Sequence, residues 1–146
     1  MLYAHIFYWQ HDTIFYKEGL NLNKVTLEYY LKIYPDIDNE ISNLEAEISA
    51  LENSQHRYSN FDDEYSKSIL ESINTALESC KNDLKEIYEA KAKIIKAMPK
   101  LSTKQKRIIK LRTEHLTWKE IASILKYHPN HIQRIYKNTL RNILLN

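Results

Sequence analysis

Thr117-Trp118-Lys119-Glu120-Ile121-Ala122-Ser123-Ile124-Leu125-Lys126-Tyr127-His128-Pro129-Asn130-His131-Ile132-Gln133-Arg134-Ile135 is the stretch on which the fold turns. It opens with Thr-x-x-Glu. In such a pair the threonine hydroxyl can accept from the amide of Glu120 while the carboxylate reaches back to the amide of Thr117. A helix then runs through Ile121, Ala122, Ile124 and Leu125. Lys126-Tyr127-His128 reads as a three-residue turn, and Pro129 suits the first turn of a new helix, where a missing N–H costs nothing. That helix points Ile132, Ile135, Thr139, Leu140 and Ile143 inward. Upstream, Ser102 can cap a helix reaching about Arg112, with Leu101, Ile108, Ile109 and Leu111 on its apolar face.

Two short helices joined by a tight turn must cross closely, so a small residue is needed near the crossing, and Ala122 supplies it. Ile121, Leu125, Tyr127, Ile132 and Ile135 fall where such a unit needs core side chains. This is the spacing of a helix-turn-helix, whose second helix faces outward into a major groove. The outward residues here are Asn130, His131, Gln133, Arg134, Lys137, Asn138 and Arg141, and Thr117, Trp118 and Lys119 complete the candidate DNA contacts. Asn and Gln can pair with adenine and Arg with guanine, whereas Lys favours phosphate. His128 and His131 stand three apart, as metal ligands on a helix can, but no carboxylate or cysteine lies near. Surface or phosphate-facing roles suit them, and no metal or other cofactor is expected.

Charge separates along the chain. From Lys100 to Asn146 there are eleven Lys or Arg against Glu114 and Glu120, a balance of +9, which leaves −7 for the rest of a chain totalling +2. A basic end on an acidic body suits a polyanion-binding module joined to something else. Cys80 is the single cysteine, so an intrachain disulfide is impossible and a reducing cytoplasm fits. The apolar start, Met1 to Leu20, lacks a basic leader and is interrupted by His11 and Asp12, which speaks against a signal peptide. No stretch approaches the ~18 apolar residues of a membrane span.

Working back toward the N-terminus, the pattern changes from short helices to heptads. From Ser66 to about Ala97 the series Ile69, Ile73, Ala76, Cys80, Leu84, Ile87, Lys91, Ile94 and Met98 carries a seam with one polar interruption, and Pro99 ends it. Residues 54–65 are polar and read as a loop. From Asp36 to about Asn53 a second seam follows Ile37, Ile41, Leu44, Ile48 and Leu51 at spacings of 4, 3, 4 and 3. Asp36, Asp38 and Glu40 crowd its start, where the helix dipole favours negative charge. Two such helices predict an antiparallel hairpin that needs a partner to cover it: the aromatic N-terminus, a second copy, or both. In residues 1–34 the aromatics Tyr3, Phe7, Tyr8, Trp9, Phe15, Tyr16, Tyr29, Tyr30 and Tyr34 are concentrated, with a break near Gly19 to Asn23. Val25 to Tyr34 suits a helix, and the part before Gly19 suits a helix or a short hairpin.

The fold class expected is therefore all-α: a long, coiled-coil-like helical hairpin followed by a C-terminal tri-helical domain. The divisions are an aromatic N-terminal segment (1–34), the hairpin (35–99) and the helix-turn-helix (100–146). With Gly19 the only glycine, no phosphate-cradling loop is available, and no catalytic constellation emerges, so an enzyme is not expected.

Residues Leu101-Ser102-Thr103-Lys104-Gln105, Leu111-Arg112, Leu116 to Leu125 and His131-Ile132-Gln133-Arg134-Ile135-Tyr136, ending in Leu140, resemble region 4 of sigma-70-type factors. The resemblance covers about the last third of the chain and implies reading of a promoter element. The preceding hairpin is similar in architecture to small phage regulators of the ArpU and RinA type, which implies transcription activation, commonly of late genes. The chain departs from region 4 in carrying Lys126 where glycine is usual and Pro129-Asn130 where charged residues are common. Nothing in it resembles region 2. These readings predict a DNA-binding transcription regulator that is dimeric, acts on double-stranded DNA in a bacterial cytoplasm and has RNA polymerase as a candidate contact. The rival expectations are a repressor, and a protein-binding adaptor or inhibitor that uses the helix-turn-helix as scaffold and captures another protein through the aromatic N-terminus.

Overall fold

A computed structural model describes residues 22–146. The expectations for the stretch before Gly19, with its aromatics, lie outside the described residues. The described residues are all-α, with six α-helices and no strand among them.

The first helix, α1 (Lys24–Ile33), begins where Asn23 Oδ1 accepts from the Thr26 amide at 2.9 Å and from the Thr26 hydroxyl at 3.0 Å. It buries Leu27, Tyr30 and Leu31 at helical spacing. Tyr34–Asp36 is a single 3₁₀ turn holding Pro35, so proline both stops α1 and leads directly into α2 (Ile37–Tyr58). The Asp63 carboxylate then caps α3 (Glu64–Ala97), accepting from the Ser66 amide at 2.8 Å and from its hydroxyl at 2.7 Å. These hydrogen bonds hold the Asp63 carboxyl below its usual range.

The hairpin of α2 and α3 is longer than its sequence suggests. Residues 54–58 are helical, and the turn is only 59–63. The seam continues from Ile48 and Leu51 to Gln55 and Tyr58, both half-buried, and Gln55 Nε2 donates to Asn74 Oδ1 across the hairpin at 2.7 Å. A polar residue at a core position hid the last turn of α2. The seam of α3 also shifts slightly. Leu77, Ala90 and Ala97 are buried, whereas Ala76, Lys91 and Met98 are only partly so. A straight helix drifts relative to a strict heptad, and the C-terminal half of α3 must face α1 and α6 as well as α2. Lys91 instead bridges the edge, its Nζ 2.6 Å from Asp38 Oδ1. Cys80 is buried on the hairpin seam.

A 3₁₀ turn at Met98–Lys100 carries Pro99 and redirects the chain into three shorter helices, α4 (Thr103–Thr113), α5 (Trp118–Leu125) and α6 (Pro129–Leu145). Both serine and threonine caps are reciprocal boxes. Ser102 Oγ accepts from the Gln105 amide while Gln105 Oε1 accepts from the Ser102 amide, and Thr117 and Glu120 do the same. One core runs through all of this. Leu27 of α1, Ile94 of α3, Ile108 of α4, Ile121 of α5 and Ile132, Leu140 and Ile143 of α6 are fully buried in it. The hairpin's expected need of a partner is thus met at one end from within the chain, by α1 and α6. Lys93 Nζ also donates to the Leu144 carbonyl at 2.9 Å, satisfying an orphan acceptor at the end of α6.

One expected core residue lies elsewhere. Tyr127 is 41 % exposed. Lys126 before it adopts a left-handed conformation (φ 60°, ψ 46°), which lets the Tyr127 amide bond back to the Ala122 carbonyl at 3.0 Å and turns the Tyr127 ring outward. Tyr136 takes the core place instead, at the i+4 position from Ile132.

Candidate nucleic-acid interface

The face of α6 away from the core follows from its register. Ile132, Tyr136, Thr139, Leu140 and Ile143 are buried, so the residues on the opposite side of a 3.6-residue helix are Asn130, Arg134, Lys137, Asn138 and Arg141, all exposed. Gln133 and His131, half-buried, flank that stripe on either side. Thr139 is buried with its hydroxyl donating to the Ile135 carbonyl at 2.8 Å, so it stays on the structural side. The stripe therefore gathers three cations and the amides of Asn130, Gln133 and Asn138 along one helix.

The start of α6 is capped by an imidazole. His128 Nδ1 accepts from the Asn130 amide at 3.2 Å. One turn on, an Arg134 guanidinium nitrogen lies 3.0 Å from His131 Nδ1. The His131 ring is tilted on the Tyr127 ring, centroids 5.5 Å apart, and Lys104 Nζ stands 4.3 Å above the other aromatic partner's centre, that of Tyr127. Lys104, Arg107 and Lys126 surround a shallow cleft floored by Ile124, Leu125 and Tyr127. Sequence reading did not single out Lys104 and Arg107; their presence in a helix of net charge +5, Lys104 to Arg112, was the available signal.

The candidates at the start of α5 divide. Lys119 and Thr117 are exposed. The Thr117 amide and hydroxyl both donate to Glu120 Oε2, at 2.7 and 2.9 Å, and these bonds hold the Glu120 carboxyl below its usual range. Trp118 is half-buried. Its ring meets Tyr136 edge to face at 5.1 Å, and the Arg112 guanidinium lies over it at 4.4 Å. Arg112 also donates to the Leu116 carbonyl at 2.9 Å, so this cation is committed inside the unit. Burial, followed by the charge of the nearby Glu28 carboxylate of α1, pushes the ionisation of the Tyr136 hydroxyl well above the usual range.

Among the described residues, no cation from Lys100 onward lies within ion-pair distance of a carboxylate; the three ion pairs, Lys67–Asp62, Lys81–Glu52 and Lys91–Asp38, all belong to the hairpin. The +9 of this stretch is left to the solvent, on residues of which ten are exposed. Such a surface attracts polyanions over a Debye length. Among the described residues no three His, Cys, Asp or Glu side chains converge to hold a metal ion. No described helix is long and apolar enough to cross a membrane. No protein-family model, curated protein or solved structure matches the chain.

Proposed function

We propose that residues 100–146 form a helix-turn-helix that binds double-stranded DNA sequence-specifically, and that the protein is a transcription regulator acting in a bacterial cytoplasm, an activator of the phage late-gene kind. The observation that carries the reading is the outer face of α6. Asn130, Gln133, Arg134, Lys137, Asn138 and Arg141 stand on one helix, at the head of a basic unit whose charge no carboxylate neutralises. Arg134, Gln133 and Asn130 supply base-edge chemistry, while Lys137, Arg141 and Lys119 supply phosphate contacts. The tight turn at Lys126–His128 leads from α5 into α6, whose outer face stays exposed while its inner face is buried in the core, an arrangement compatible with placing that face in a groove.

Two copies act together in this reading. The heptad seams are spent between α2 and α3, so pairing falls to the hairpin tip, where Phe61 and Tyr65 are 57 % and 75 % exposed. Contact with RNA polymerase belongs to the activator reading and would use surfaces away from α6.

The test is selection of binding sites from a random duplex library by the full-length protein at near-physiological salt, followed by footprinting. Recovery of one sequence in paired half-sites supports a dimeric, site-specific regulator. Uniform, salt-sensitive binding would transfer specificity to a partner, and an absence of binding would favour an adaptor.

A further inference from the structure

The N-cap and first turn of α6 carry two imidazoles whose hydrogen bonds share one requirement. His128 Nδ1 accepts from the Asn130 amide at 3.2 Å, and His131 Nδ1 faces an Arg134 guanidinium nitrogen at 3.0 Å. A backbone amide and a guanidinium can only donate. Each Nδ1 must therefore be without a proton, and in the neutral ring the proton sits on Nε2. Protonating His131 would turn its acceptor into a donor facing a cation. It would also place a positive charge in the first turn of a helix, where the macrodipole opposes it. The surroundings offer no compensation: α4 contributes Lys104 by way of the Tyr127 ring, the turn contributes Lys126, Tyr127 and His128, and among the described residues no carboxylate bonds to either imidazole.

We propose that His131 is a positioning residue for Arg134. Neutral, it holds the guanidinium in the orientation that reads a base edge; protonated, it releases it, so discrimination between DNA sites falls as the pH drops. The proposal rests on the DNA-binding reading above. Its physical basis is preorganisation. Arg134 is exposed and long, and an unheld arginine must give up its rotamer freedom at the moment of binding. His131 is itself held by the Tyr127 ring, so the anchor is fixed before DNA arrives. Phosphate attraction needs no such orientation and gains from an added charge. Acidification should therefore lower specific binding while sparing or strengthening non-specific binding.

The experiment is fluorescence anisotropy of the full-length protein on the duplex recovered by selection and on a scrambled duplex, at about pH 8 and about pH 5.5 and constant ionic strength. The ratio of the two affinities is the readout. The wild-type ratio should fall about fivefold or more on acidification, the lower end of what one base-edge contact discriminates. His131→Asn puts Oδ1 where Nδ1 stood, an acceptor that does not titrate, and should keep the ratio at both pH values. His131→Ala should show the acid ratio already at pH 8, and Arg134→Ala should add nothing to it. His128→Asn retains a good cap and should leave the pH effect in place. A flat wild-type profile overturns the proposal, as does a His131→Asn protein as pH-sensitive as wild type, or a His131→Ala ratio intact while Arg134→Ala collapses. In those cases a site is still selected and bound, so the DNA-binding reading survives. If no duplex is bound, that reading falls and takes the inference with it.

Discussion

Trp118 and Tyr136 meet edge to face, with ring centroids 5.1 Å apart and planes at 62°. The pair joins α5 to α6, and each ring has a further neighbour: Arg112 of α4 lies over Trp118, and the Glu28 carboxylate of α1 bears on the Tyr136 hydroxyl. Four helices are thus tied through two rings. Edge-to-face pairs contribute about 0.5–1.5 kcal/mol beyond area burial. Trp118→Ala should destabilise the fold by about 2–4 kcal/mol, since a large, partly buried ring is lost. Tyr136→Ala should cost about 3–5 kcal/mol, since a buried aromatic ring is lost from the core. Urea unfolding monitored by circular dichroism measures both. A Trp118→Ala protein of wild-type stability would show the ring to be a surface group.

Lys126 occupies left-handed backbone at φ 60°. A side chain there costs roughly 1 kcal/mol relative to glycine. Lys126→Gly should therefore raise stability by up to about 1 kcal/mol, although glycine's extra freedom in the unfolded chain offsets part of this. A lower melting temperature in the variant would contradict the strain assignment.

Asp83 gives stability a pH dependence of unusual sign. Burial pushes its carboxyl up to about 6, and the neighbouring Glu86 and Glu47 charges add to this. Glu86, which accepts from the Tyr30 hydroxyl at 3.0 Å, is raised as well, chiefly by burial. A carboxyl that binds its proton more tightly folded than unfolded penalises the folded state above its folded pKa. The penalty fades as pH falls from about 6 toward the unfolded value near 4. The melting temperature should rise between pH 7.5 and 5. Asp83→Asn should raise it at pH 7.5 and flatten the slope. A variant less stable than wild type at pH 7.5 would mean that Asp83 makes a favourable charged contact.

On α6, Arg134→Ala and Gln133→Ala should each reduce discrimination between selected and scrambled duplex by about 1–3 kcal/mol. Lys137→Ala should weaken binding to both duplexes alike and lower the salt slope by about one. Unchanged discrimination in the Arg134 variant would mean that the face of α6 has been assigned to the wrong register.

At the hairpin tip, replacing Phe61 and Tyr65 together by serine should reduce self-association in sedimentation equilibrium and leave the fold intact, because neither ring is buried. Dimers of undiminished affinity would move the pairing surface elsewhere.

Much of the fold could be read from residues whose local chemistry has one outcome. Thr117 with Glu120, Ser102, Pro129 and the apolar spacing of Ile132, Leu140 and Ile143 marked helix ends and inner faces in advance. What escaped was set by tertiary context. Gln55 and Asn74 are polar, yet they extend the hairpin by pairing with each other. Tyr127 and Tyr136 are chemically alike, and only the backbone turn at Lys126 decides which one enters the core. For the candidate site, the outward stripe of α6 was legible from the inward one. The coupling of His131 to Arg134 was not, because i,i+3 neighbours on a helix touch only in particular rotamers. Nor was the withdrawal of Arg112 and Trp118 from the surface.

The hairpin outreaches the core that anchors it. That core ends on α3 near Leu84 and Ile87, while the helix begins at Glu64. At 1.5 Å per residue the remaining arm is about 30 Å long, close to the ~34 Å of one turn of duplex. The exposed rings of Phe61 and Tyr65 thus stand clear of that core by about the length of the arm. An arm of that length levers any force applied at its tip onto the few contacts at its base, so the α2–α3 turn can move without disturbing the helices that follow Pro99.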